Sequence, residues 1–142
     1  MVARTSRPTV VAMQRHVSTV ARTNSIKYRT IPGIEGWALV PDRKIGIPVI
    51  KSVRTYARAL HELGHILGGS ARRMIEIEAL AWAWARHNAL IWTPTMDLVA
   101  SACLRTYFDD ATLSRPAQGH VAYAVLHAQY PMDPNAQITR LR

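Results

Sequence analysis

From Val10 the apolar side chains fall at Met13, Val17 and Val20, three and four residues apart, which is the period of one helix face. Pro8, just ahead, suits a first helical turn, and the spacing predicts a helix up to about Arg22. The pattern then changes to three short strand-like stretches, residues 25–31, 36–40 and 44–50. Turn signals at Pro32-Gly33 and Pro41-Asp42 separate them. These predict a three-stranded antiparallel sheet. Pro48 has no amide donor, which puts the third stretch at an edge or a bulge.

Helical periodicity returns after Ser52, a suitable N-cap, and Gly68-Gly69 is a suitable stop, so a helix is predicted over 53–67. Gly64 costs about 1 kcal/mol of helix propensity against alanine, which close approach of another backbone or of substrate would justify. A second helix follows Ser70 and runs to about Asn88. Apart from Glu76 and Glu78 its middle is apolar all round (Ile75, Ile77, Ala79 to Ala85), which implies burial on most sides. Two more helices are expected, about 95–108 and 117–130, with a surface tail from Pro131. The fold expected is α+β: a small three-stranded antiparallel sheet packed on the 53–67 helix, with a largely helical C-terminal half. The 142 residues, 49% hydrophobic, read as one domain with a loose basic arm over about 1–8.

Charge is unevenly placed. Residues 1–60 hold eleven Lys and Arg against Glu35 and Asp42, whereas the remainder holds seven of each sign. The basic half suits an acidic partner or nucleic acid, and its sign alone does not choose between them. No apolar run is long enough for a membrane span, so no membrane partner is expected. The single cysteine, Cys103, excludes internal disulfides and CxxC motifs, and suits a small core position in a reducing compartment.

The chemistry concentrates in His61-Glu62-Leu63-Gly64-His65. Residues four apart share a helix face, so both imidazoles can reach one ion while Glu62 addresses a water beside it. This is the minimal equipment of a zinc-dependent hydrolase, with zinc as cofactor, His61 and His65 as ligands and Glu62 as the general base. A catalytic zinc takes three protein ligands. The short 68–70 link predicts an antiparallel hairpin, which brings Glu76 and Glu78 into reach of the histidines. They lie about 200° apart around the helix, so only one of them can face the metal. Arg58, one turn before His61, is expected to disfavour an imidazolium there. Candidates for an oxyanion donor are His120, Tyr123 and His127, on one stripe of the last helix, and Tyr107. His16 and His87 are read as surface or satisfied residues.

Taken with the helix that follows, the motif resembles the ImmA/IrrE-type metallopeptidases, a compact gluzincin branch. Their ligand helix carries a zinc-binding Glu, an Ala three residues on, and an aromatic-Ala pair at six and seven. Glu78, Ala81, Trp84 and Ala85 fit this, and Glu76, Ala79, Trp82 and Ala83 fit almost as well. The apolar 89–94 segment ending in Pro94 favours Glu78. The resemblance spans about 25–108 and implies a cytoplasmic protease, bacterial or phage-encoded, acting on a protein or peptide substrate such as a regulator of a phage or mobile element. The chain departs from the family in lacking a helix-turn-helix and in having Trp82 or Leu80 where Asn is frequent. The alternatives are a zinc-containing binding or regulatory module, or a phage accessory protein, using the basic half on nucleic acid or a partner.

Overall fold

A computed structural model describes residues 7–72 and 74–108, without the side chains of residues 105, 107 and 108. The expected 117–130 helix with His120, Tyr123 and His127, the tail from Pro131 and most of the basic arm lie outside the described residues. The order of elements is α1 (Val10–Thr23), β1 (Lys27–Ile31), β2 (Trp37–Leu39), β3 (Lys44–Pro48), α2 (Val53–Leu67), α3 (Met74–Asn88) and α4 (Pro94–Phe108). The fold is α+β, as expected.

Thr9 caps α1 by accepting from the Ala12 amide at 3.0 Å, and Met13, Val17 and Ala21, four apart, bury its inner face. The sheet corrects the sequence reading. Its order is β1-β3-β2, with β2 antiparallel to β3 but β1 parallel to it (Lys27 opposite Lys44, Ile31 opposite Pro48). Successive strands do reverse direction at the two turns, yet the third inserts between the first two instead of lying at an edge. Burial gives the reason. Ile45 and Ile47 of β3 are each 1% exposed, whereas β1 is exposed from Lys27 to Thr30, so the apolar strand takes the centre and the charged one the rim. Pro48 is tolerated there because it sits at the last pair of the ladder.

Ser52 and Thr55 form a capping box at the start of α2, and Gly68 closes its end, as the sequence predicts. From Thr55 to Gly64 only Arg58 is not buried. Helix α2 is the hub of the fold: it touches α1, α3, α4, β2 and β3, and its largest interface is with α3. Gly64 makes that interface possible. A Cβ there would stand 2.3 Å from the carbonyl oxygen of Ala81, so its role is the close approach of a second helix backbone.

Tyr56, fully buried, ties three parts of the chain together. Its hydroxyl accepts from the Leu90 amide at 3.0 Å and shares a hydrogen bond of 2.6 Å with Nδ1 of His16. Burial pushes the Tyr56 phenol up to about 12 despite the Leu90 bond, and lowers the pKa of His16. His16 is therefore a neutral, satisfied residue. At the α3–α4 junction, Asp97 in the first turn of α4 accepts from Arg86 at 3.0 Å and from the Trp92 indole at 2.6 Å.

Candidate metal centre

The buried middle of α2 presents His61, Glu62 and His65 toward α3, whose second turn supplies Glu78. Both imidazole Nε2 atoms converge on one carboxylate oxygen: Oε2 of Glu78 lies 3.0 Å from His61 and 2.7 Å from His65. Of the two acids left open by the sequence, the structure brings Glu78 to the histidines, and Glu76 lies outside the cluster. The opposite helix faces of these residues enforce the choice. Trp82, one turn beyond Glu78 on the same face, packs fully buried toward α2 and fixes the rotation of α3.

The residues fit a metal ion. Their donor atoms lie within 4.8 Å of one another. Bonds of about 2.0–2.2 Å in a tetrahedral site separate the donors by roughly 3.3 Å, a few tenths more than the 2.7 and 3.0 Å observed. His61 is 9%, Glu78 8% and Glu62 5% exposed, so two carboxylates are withdrawn from water at a cost that a cation offsets. One Glu62 oxygen is 3.2 Å from Nδ1 of His61. The other, Oε2, is buried with no hydrogen-bond partner.

With a proton rather than a metal between them, the groups shift one another. Burial alone would raise the pKa of Glu78, but hydrogen bonds from both imidazoles overcome it and hold the carboxyl well below the usual range. Burial alone would lower His61, yet Glu62 and Glu78 outweigh it and move the imidazole above its ordinary value. The expectation that Arg58 keeps His61 uncharged is therefore corrected, because two carboxylates contact the ring.

Sequence reasoning missed the support under His61. The indole of Trp82 stacks on its ring, with centroids 4.2 Å apart and planes 10° from parallel, while His65 meets it edge-on at 4.5 Å. The signal was available in the four-residue spacing of Glu78 and Trp82. The cluster forms the floor of a cleft of about 600 Å³. One wall is the segment from Glu35 to Val40, including β2, which is an edge strand. The other comes from α4 at Ala102, Cys103 and Thr106, with Met74 and Ile77 of α3. Gly36 allows the wall to approach, since a Cβ there would lie 2.8 Å from Cγ of Glu62. Cys103, expected in the core, is half-buried and lines the cleft because α4 borders it. Tyr107 belongs to α4, but its side chain is outside the described residues, and His87 is exposed at the end of α3.

No family model matches the chain, and no curated protein or solved structure is significantly similar to it. Among the described residues no helix is long and apolar enough to cross a membrane. His61, His65 and Glu78 form a group able to hold a metal ion.

Proposed function

We propose that this protein is a zinc-dependent metallopeptidase of the ImmA/IrrE type, cleaving a peptide bond in a protein substrate. The observation that carries the reading is the convergence of His61, His65 and Glu78 beside the unpartnered oxygen of Glu62, on the floor of an open cleft. Two neutral nitrogens and one carboxylate are a donor set suited to zinc, with a further position left for substrate or water. When bound, zinc supplies Lewis acidity toward a carbonyl and toward water.

The chain's own residues supply the rest. Glu62 takes the proton of the attacking water at Oε2 and passes it to the leaving amine. His61 donates Nδ1–H to the other Glu62 oxygen, which fixes the tautomer that leaves Nε2 for the metal. Trp82 holds the His61 ring in plane, so the ligand is oriented before the ion arrives. Edge strand β2, along the cleft wall, offers free backbone groups to an extended peptide that adds as a further strand.

The test is peptide cleavage by zinc-loaded protein and by Glu62→Gln. The variant should keep its zinc and lose at least about 100-fold in rate, the usual contribution of a positioned base. Equal rates in the two proteins would refute the role of Glu62.

A second reading draws on the sheet. Lys27, Arg29 and Lys44 are exposed and alternate onto its outer face, where Arg29 lies 5.6 Å from the centre of the Trp37 ring. A metal-stabilised module that binds nucleic acid or an acidic partner there would retain zinc, cleave no protein, and bind its partner with steep salt dependence.

A further inference from the structure

Arg58 lies one turn before His61 on α2 and lines the same cleft. It is half-buried, and among the described residues no carboxylate is within ion-pairing distance of it. Of the three acids that line the cleft, Glu78 is engaged by both histidines and Glu62 by His61, and Glu35 forms no ion pair with Arg58. Its polar neighbour across the cleft is instead the Cys103 thiol. A thiol is a weak acceptor, so most of the five guanidinium donors are left for something else. Partly desolvated charges are normally matched, and guanidinium matches a carboxylate through two parallel hydrogen bonds.

The position of Arg58 defines what it can reach. Three residues of helix advance about 4.5 Å, so Arg58 stands about one turn from His61 on the side away from His65. An extended peptide advances about 3.3 Å per residue, which puts Arg58 within about two residues of a bond lying over Glu62. At the His65 end the cleft is bordered by Met74 and Ile77, both apolar. The cleft thus combines one cation, Arg58, with apolar surface from Met74 and Ile77.

We propose that Arg58 is a substrate-binding residue that receives a carboxylate, from an acidic side chain or a C-terminus, within about two residues of the scissile bond. The inference rests on the peptidase reading for the word scissile, and on the unmatched cation for the rest.

The experiment measures binding apart from cleavage. Zinc-loaded Glu62→Gln protein is titrated against three fluorescein-labelled hexapeptide pools by anisotropy. The first is uncharged and C-terminally amidated, the second carries one Glu, and the third is uncharged with a free C-terminal carboxylate. One or both acidic pools should bind about tenfold tighter than the neutral pool, the equivalent of one charge-assisted hydrogen-bond pair. Which pool gains tells the side chain from the terminus.

The preference should vanish in Glu62→Gln with Arg58→Gln at unchanged zinc content. It should be reduced by Arg58→Lys, which keeps the charge without the planar fork. Arg54→Gln, the exposed arginine one turn earlier, removes the same charge and should leave the preference intact. Equal binding of all pools, or equal loss in the Arg54 and Arg58 variants, overturns the proposal. Cleavage by the unaltered protein, read by mass spectrometry, is scored separately. Acid-selective binding without cleavage refutes the peptidase and keeps the carboxylate site; cleavage without acid preference does the reverse.

Discussion

Gly64→Ala should weaken metal binding although it replaces a helical glycine with the best helix former. In an exposed helix the change gains about 1 kcal/mol. Here the new Cβ would stand 2.3 Å from the Ala81 oxygen and 2.9 Å from its carbonyl carbon, where ordinary contact starts at 3.4 Å. Backbone cannot rotate out of the way as a side chain can, so α2 and α3 must part by roughly 1 Å, at an overpacking cost of about 1–3 kcal/mol. The net change in stability then runs from about zero to a loss of about 2 kcal/mol. The metal site feels the displacement directly, because Ala81 is three residues from Glu78 on the same helix. A metal site tolerates ligand displacements of about 0.2 Å, so the carboxylate is pulled out of range of His61 and His65. The loss expected is at least the 10–100-fold typical of disturbed ligand support. Competition with a chromophoric chelator measures it, beside thermal unfolding with and without zinc. Wild-type zinc affinity together with a raised Tm would refute the argument.

Glu78→Gln should lower zinc affinity far more than Glu76→Gln, since only Glu78 contacts the histidines; elemental analysis of the two purified variants decides, and the reverse ranking would move the third ligand by two residues. Zinc binding should release a proton near neutral pH, because both carboxylates raise His61 and the metal must displace that proton. Calorimetry in buffers of different ionisation enthalpy counts the protons, and affinity should rise with pH until the raised value is passed. His16 has a lowered pKa, so its neutral form contributes stability fully above the unfolded value of 6.5, and that stability fades as pH falls toward the folded value. The advantage of wild type over His16→Asn should therefore shrink between pH 7 and pH 5, by at most about 1.4 kcal/mol per pH unit. An advantage that grows on acidification would show that the sign is wrong.

What was legible in the sequence follows from how local each determinant is. Helix α2 was readable to its ends because Ser52, Gly68 and the apolar period all lie within it. The His61–His65 pair was readable for the same reason. Strand directions were legible from the two turns, but strand adjacency was not. It is settled by competition for the buried centre, which Ile45 and Ile47 win over a charged β1. Pro48 misled because one missing donor was weighed as though it fell inside the ladder, when it falls at the end. The choice between Glu76 and Glu78 depends on how α3 is rotated about its axis. No local signal sets that rotation, whereas the contact of Gly64 with Ala81 and of Trp82 with His61 does. The exposure of Cys103 to the cleft likewise depends on where α4 is laid, a consequence of α2 and α3 rather than of its own sequence.

The burial of Glu62 and Glu78 needs an explanation that the fold alone does not supply. Two carboxylates within one cluster repel each other and lose hydration, so an unfilled site would cost several kcal/mol. The arrangement offers two ways to compensate them. A proton held on His61 is one. Because the folded value lies above the unfolded one, its stabilising effect is complete below the unfolded pKa and lost as pH rises through the folded value. A divalent ion is the other, and it gains as the proton leaves. The two therefore cover complementary ranges of pH with one set of side chains. Since His61 and Glu62 lie in the most buried stretch of α2 and Glu78 in the helix packed most closely on it, exchange of proton for metal requires shifts of a few tenths of an ångström at the donors and none in the core. A cluster built only to be neutral would not need Glu62, whose second oxygen has no partner in the protein. That oxygen is the atom on which the proposed general base rests.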